Sequence, residues 1–167
     1  MIVDLKNNRK EFYKALMGED ELGLVVRAHI YVEHELIEFI KQHCEPCAKA
    51  KEAYASRVRR AINLGLSKML KGPLEELGSI RNAFAHRLDA SLTESVVQKL
   101  HETFDNDMKL GIQHSYDSLL TNSCESKQPA HYTQLSPKDR FVLYARSRCV
   151  QHRRHGQNNI HFSSADL

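Results

Sequence analysis

The feature that most constrains this chain is a helical spacing of apolar residues that begins at Pro73. Pro73 suits the first turn of a helix, because its missing N–H would have no intrahelical partner there. At about 100° per residue, five apolar residues that follow it fall on one side of a helix: Leu74, Leu77, Phe84, Ala85 and Leu88. No stretch alternates regularly between apolar and polar residues as a half-buried strand does, so the sequence predicts an all-α protein.

Three polar residues of this predicted helix are candidates for chemistry. Arg81 falls in the middle of the apolar stripe, where an unpaired charge is too costly to keep, so we expect it to have an anionic partner. Asn82 and His86 are four residues apart and share a neighbouring face. The helix therefore combines a cation, an amide and an imidazole at the spacing Arg-Asn-x-x-x-His.

A second helix, predicted from Leu22 to Ile40, carries a candidate anionic partner for Arg81. Two polar residues, His29 and Glu33, interrupt its apolar face one turn apart. Glu33 needs a cation there and Arg81 needs an anion, so we predict that these two side chains meet. Two interpretations stay open, because such a pair either supports a functional site or only fixes the register of two helices.

Composition limits the class of protein. A chain of 167 residues with 41% hydrophobic and 27% charged residues is typical of one globular domain with a real core. The net charge of +3 is too small to indicate a nucleic-acid partner by itself. No apolar run is long enough for a membrane span, and the first residues lack a signal-peptide core. We therefore expect a cytoplasmic protein without membrane association, whose four cysteines are reduced thiols.

The pattern along the chain predicts a single helical bundle of five to seven helices. The bundle spans residues 1–120, and a polar linker follows at 121–135. A basic helix at 136–155 packs on the bundle, and the tail at 156–167 is frayed. The further helices are predicted at 9–17, 48–70, 91–110 and 112–120.

Several single residues carry local predictions. Ser91 and Glu94 fit a capping box at the start of the helix that runs to about residue 110. Ser136 and Pro137 fit the N-cap and first position of the last helix. Gly65 lies on the apolar face of the 48–70 helix, where it predicts the close approach of another helix.

Clustered arginines are candidates for contacts with an RNA backbone, the alternative being an ordinary solvated surface. They are Arg57, Arg59, Arg60, Arg146, Arg148, Arg153 and Arg154. Cys44 and Cys47 form one Cys-x-x-Cys, but a zinc site needs two more ligands and a thioredoxin-like site needs a βαβ context. We therefore predict no metal and no cofactor.

The stretch from Arg81 to His86 resembles the Arg-x4–6-His signature of the HEPN superfamily, including a polar residue after the arginine. The run from Ser56 to Leu66, followed by Pro73-Leu74, is also similar to the mannitol-operon repressor (MltR) family. The likeness covers roughly residues 20 to 110. It implies an all-helical, commonly dimeric bundle. Many HEPN proteins are metal-independent RNA-cleaving toxins or defence nucleases, whereas MltR-like proteins regulate transcription without a DNA-binding motif of their own.

The residues suit the chemistry of the first class. His86 can act as acid or base near neutral pH, Arg81 can hold phosphate charge, and Asn82 can orient either His86 or the substrate. We predict a homodimeric HEPN-like protein that acts on RNA as an endoribonuclease of toxin or defence type, with Glu33 and His29 in support. The alternative is an MltR-like regulator that binds another protein, such as an antitoxin or a regulatory partner. A third interpretation is a structural helical module, in which the pair of Glu33 and Arg81 only fixes the register of two helices.

Overall fold

The computed structural model describes residues 20–44, 52–121 and 129–146, and six α-helices make up most of these residues. They are α1 (Glu21–His43), α2 (Tyr54–Asn63), α3 (Lys71–His86), α4 (Glu94–Glu102), α5 (Asn106–Leu120) and α6 (Pro137–Arg146). Two short 3-10 segments, Lys68–Leu70 and Tyr132–Gln134, lie between them, and these ranges contain no strand. The all-α prediction is confirmed. The predicted helix at 9–17 and the tail at 156–167 lie outside the described residues.

Local side-chain caps mark where α1, α4, α5 and α6 begin. Asp20 accepts a hydrogen bond from the backbone N–H of Gly23 at 2.7 Å before α1, and Asp105 caps α5 in the same way. At α6, the Ser136 hydroxyl accepts from the N–H of Asp139 at 3.2 Å and Pro137 is the first helical residue. The start that the sequence predicted for this last helix is confirmed.

The predicted helix from 91 to 110 is two helices instead. α4 begins at Glu94, and the hydroxyl of Thr93, not of Ser91, accepts from the Val96 N–H. The carboxylate of Glu94 bonds the side chain of Arg140 on α6. The predicted capping box is therefore wrong, because a long-range partner takes the carboxylate that a local cap would use.

The prediction for Gly65 is also wrong. α2 ends at Asn63, and Gly65 follows with a φ of 105°, a left-handed conformation that favours glycine. The N–H of Leu66 bonds the carbonyl of Ala61 at 2.9 Å and that of Gly65 bonds Ile62 at 3.1 Å, which is a Schellman motif. A Cβ at Gly65 would meet nothing within 4 Å, so this glycine ends a helix and does not admit a neighbouring one.

The core lies where α1 packs against α2, α3 and α6. α1 and α3 run antiparallel: the side chain of Glu21 accepts from the N–H of Leu92 at 2.8 Å, just beyond the end of α3, while Val32 faces the first turns of α3 around Leu74. α2 lies beside both helices and begins at Tyr54. No helix among the described residues is long and apolar enough to span a membrane.

Candidate functional site

The C-terminal end of α3 carries the three predicted site residues on the protein surface. Arg81, Asn82 and His86 are all exposed. One guanidinium nitrogen of Arg81 donates to the side-chain oxygen of Asn82 at 3.0 Å. Because Asn82 and His86 are four residues apart, this bond draws the guanidinium toward the face that carries the imidazole. The helix remains regular through His86, its last residue.

The predicted ion pair between Arg81 and Glu33 is wrong. Glu33 accepts a hydrogen bond from Arg57 on α2, and its side chain is 27% exposed. The periodicity predicted a core-facing Arg81 on the side of α3 that carries Leu74, but the residue is exposed, because no described element covers it there. Its only hydrogen bond within the described residues is to the neutral amide of Asn82.

Tyr54 covers the part of α3 that precedes the exposed Arg81. Its hydroxyl donates to the backbone carbonyl of Leu74 at 3.0 Å, and its ring lies over Gly78. A Cβ at Gly78 would be 2.9 Å from Cε1 of the ring. The sequence analysis missed Tyr54, although Gly78 on the apolar side of α3 was a signal for a close contact. Arg81 lies one turn beyond this contact.

His29 lies beneath the same contact and is buried, as its place on the apolar face predicted. The centres of its ring and the Tyr54 ring are 4.4 Å apart. Burial lowers the pKa of His29, the charge of Glu33 opposes that shift, and the charge of Arg81 adds to it. His29 therefore lies within electrostatic range of both charged side chains.

The structure separates the predicted basic cluster on α2. Arg57 forms an ion pair with Glu33, and Arg60 forms one with Glu52 at 3.3 Å. Arg59 is exposed and donates to the Ser56 hydroxyl at 3.2 Å.

The predicted C-terminal arginines are described only in part. The backbone of Arg146 ends α6, whereas its side chain and the residues Arg148, Arg153 and Arg154 lie outside the described residues.

A second polar cluster joins α6 to α4. Arg140 is buried and bonds Glu94, and its Nε has no hydrogen-bond partner among the described residues. One turn later, the buried hydroxyl of Tyr144 also has no partner in the described part of the chain. His101 and Tyr132 complete the cluster, with Nε2 of the histidine 2.9 Å from the phenol oxygen. The sequence predicted a basic helix at 136–155, but Arg140 of this helix is part of the interior.

The apolar cavity beside this cluster is small. It has a volume of about 40 Å³ and is lined by side chains of α1, α3, α4 and α6 together with Leu70 and Phe104. Pockets for small organic ligands are usually about 300–1,000 Å³, so this cavity does not fit such a ligand.

The described residues include no group of three or more His, Cys, Asp or Glu side chains that could hold a metal ion. Cys44 is disulfide-bonded, so the prediction of a reduced thiol is wrong at this position. Cys47, the other half of the Cys-x-x-Cys, lies outside the described residues.

No protein-family model, no curated protein and no solved structure matches this chain.

Proposed function

We propose that this protein is a HEPN-like endoribonuclease that cleaves RNA without a metal ion, through Arg81, Asn82 and His86. One observation carries the proposal: the guanidinium of Arg81 is exposed and held by a neutral amide on the side of α3 that bears His86. A guanidinium that no carboxylate neutralises keeps its charge and its donors for a phosphate group.

The chemistry needs a base, an acid and a fixed positive charge. The base takes the proton of the ribose 2′-hydroxyl, which attacks the adjacent phosphorus atom. The acid protonates the leaving 5′-oxygen, and the cation stabilises the charge of the pentacoordinate phosphorus in between. His86 serves as acid or base, Arg81 as the cation, and Asn82 orients the guanidinium.

The described residues of one chain supply a single exposed imidazole at this site, whereas the reaction uses both an acid and a base. Arg81 and His86 are five residues apart in a regular helix, about 140° around its axis, so they face different directions at the backbone. We therefore propose a homodimer in which two copies of this helix end meet and each contributes a histidine, as the HEPN resemblance implies.

The test is cleavage of a labelled single-stranded RNA in EDTA by the wild-type protein and by His86→Ala. Since His86 is exposed, the variant should keep the wild-type melting temperature and lose cleavage by at least about a hundredfold. His114→Ala on α5 is the matched control, because it removes another exposed histidine and should cleave normally. Equal cleavage by wild type and His86→Ala would reject the assignment.

A second candidate function is protein binding by an MltR-like regulator. Its support is a set of large apolar side chains that are exposed on α1 and just after α3: Leu22, Ile30 and Leu88. Leu88 is fully exposed and lies two residues after His86. A folded wild-type protein that cleaves no RNA under any condition tested would favour this candidate.

A further inference from the structure

We propose that Arg140 and Tyr144 bind one internal water molecule between α6 and α4, held by the guanidinium Nε and the phenol oxygen. The site belongs to the polar cluster that joins these two helices and is independent of the proposed RNA cleavage. Its basis is a pair of buried polar atoms that contacts elsewhere on the same side chains hold in place.

The first step of the argument is that the two atoms need a partner and lie on one face of a helix. As whole residues, Arg140 is 2% exposed and Tyr144 is 4% exposed, and neither Nε nor the hydroxyl has a hydrogen-bond partner among the described residues. A buried polar group without a partner has given up its bonds to water and gained none in return. The two residues are four apart in α6, so their side chains are neighbours on its surface. One molecule between them satisfies both atoms.

The second step is that neither atom is free to move to another partner. The guanidinium is anchored at its other end, where it donates to the carboxylate of Glu94. The ring of Tyr144 is packed among three other rings. Its centre is 5.1 Å from that of Phe104, 6.0 Å from that of His101 and 6.1 Å from that of Tyr132. Because the phenol oxygen is rigidly attached to its ring, these contacts fix the hydroxyl too, and the partner must be a separate molecule.

The third step identifies that molecule as water. The Nε–H of an arginine is only a donor, so its partner must offer a lone pair, whereas a tyrosine hydroxyl either donates or accepts. A water molecule and a halide ion both meet this condition. The charge of Arg140 is already matched by that of Glu94, so a buried halide would add a charge that nothing compensates. Water is neutral and bonds both atoms without this cost.

The packing around Tyr144 leaves room for such a molecule. One water needs about 10–15 Å³ of cavity volume, and the cavity that Tyr144 lines has about 40 Å³. The other side chains that line this cavity are apolar, so a water finds its partners at the edge formed by Tyr144. Burial raises the pKa of Tyr144 and the charge of Arg140 opposes that shift, in agreement with a hydroxyl that lies near the guanidinium.

A high-resolution crystal structure of the wild-type protein tests the site directly. We expect a water molecule within about 2.7–3.2 Å of both Arg140 Nε and the Tyr144 phenol oxygen. Crystals soaked in sodium bromide should show no bromide there by anomalous scattering. Bromide at this position, a direct hydrogen bond between the two side chains, or no density between them overturns the proposal.

The variant Tyr144→Phe tests the hydroxyl in solution. Removal of a hydroxyl that binds water should lower the melting temperature by about 2–4 °C, whereas removal of an unbonded buried hydroxyl should raise it. Tyr116→Phe is the matched reference, because the Tyr116 hydroxyl donates to the Pro129 carbonyl at 2.8 Å and its loss should have a similar effect. A melting temperature of Tyr144→Phe at or above that of wild type overturns the proposal.

A double-mutant cycle tests whether the two residues share one ligand. In an Arg140→Met background the water has lost its bond to Nε, so Tyr144→Phe should cost clearly less there than in wild type. Tyr116→Phe, whose hydroxyl has its own acceptor, should cost the same in both backgrounds. Equal losses from Tyr144→Phe in the two backgrounds overturn the proposal. If Arg140→Met does not fold, the crystal structure and the single variant decide the question.

Discussion

The ring of Tyr54 lies directly over Gly78, so close that a single methyl group on α3 would be 2.9 Å from ring atom Cε1. The tyrosine has little freedom to move away. Its hydroxyl bonds the Leu74 carbonyl, and its ring packs against the buried His29 on α1. This contact joins the three helices that position the candidate site.

Gly78→Ala should therefore destabilise the protein, although alanine is the better helix former. The added methyl group forces Tyr54 off its position, and overpacking of this kind costs about 1–3 kcal/mol. The measurement is urea denaturation followed by circular dichroism.

Gly111→Ala on α5 is the matched control for that variant. A Cβ at Gly111 would meet nothing within 4 Å, so the same substitution should stabilise the protein by up to about 1 kcal/mol. Equal effects of the two substitutions would show that helix propensity alone decides the result, and that the Tyr54 contact contributes nothing.

The pair of Arg140 and Glu94 should respond unequally to loss of either partner. Glu94→Gln leaves a guanidinium that is 3% exposed without its carboxylate, whereas Arg140→Met leaves a carboxylate that is 68% exposed to water. We expect Glu94→Gln to lower the free energy of unfolding by about 1–2 kcal/mol. The loss is modest because water already screens the exposed carboxylate of the wild-type pair. Arg140→Met should lose less, because its apolar replacement also removes the Nε that has no partner among the described residues. Urea midpoints of both variants decide the order, and a larger loss in Arg140→Met would contradict it.

Features that depend on a few neighbouring residues could be predicted from the sequence. The start of α6 at Ser136 and Pro137 was predicted because the cap and the fixed φ of proline act within one turn. The burial of His29 was predicted because helical periodicity alone places it among the apolar residues of α1. The all-α class follows from the same periodicity.

Features that depend on which helices meet could not be predicted in this way. The sequence predicted a core-facing position for Arg81, yet the residue is exposed, because no described element covers that part of α3. Glu33 pairs with Arg57 on α2, and the sequence alone does not show which arginine lies beside this carboxylate. Glu94 was likewise assigned to a local cap because its partner, Arg140, is 46 residues away.

Stability should fall as the pH is lowered below neutral, because the buried His29 and the half-buried His101 bind protons poorly in the folded state. Burial lowers the pKa of His101 from its ordinary value of 6.5; Lys109, Arg140 and His131 lower it further, and Glu102 opposes them. The pKa of His29 is also lowered, chiefly by burial. The unfolded chain therefore binds more protons than the folded protein does. The stability that depends on neutral histidines is complete above about pH 6.5 and is lost as the pH falls below that value.

Urea midpoints measured from about pH 7.5 to about pH 5.5 test this dependence. The double variant His29→Gln/His101→Gln should have a flatter profile than wild type, whatever its stability at neutral pH. His114→Gln, which replaces an exposed histidine, should keep the wild-type profile. An unchanged profile in the double variant would assign the acid sensitivity to other groups.

Asn82→Asp should remove RNA binding at the proposed site while leaving the fold intact. The aspartate takes the place of the amide that now accepts from Arg81, so a carboxylate neutralises the guanidinium at its present position. We expect the affinity for a 2′-O-methylated oligouridine, which cannot be cleaved at its 2′-oxygen, to fall about tenfold or more. The melting temperature should change little because both side chains are exposed. Asn106→Asp at the start of α5 makes the same change of charge at another exposed position and is the control. Equal losses in the two variants would mean that only net charge matters, whereas a loss confined to Asn82→Asp places the phosphate at Arg81.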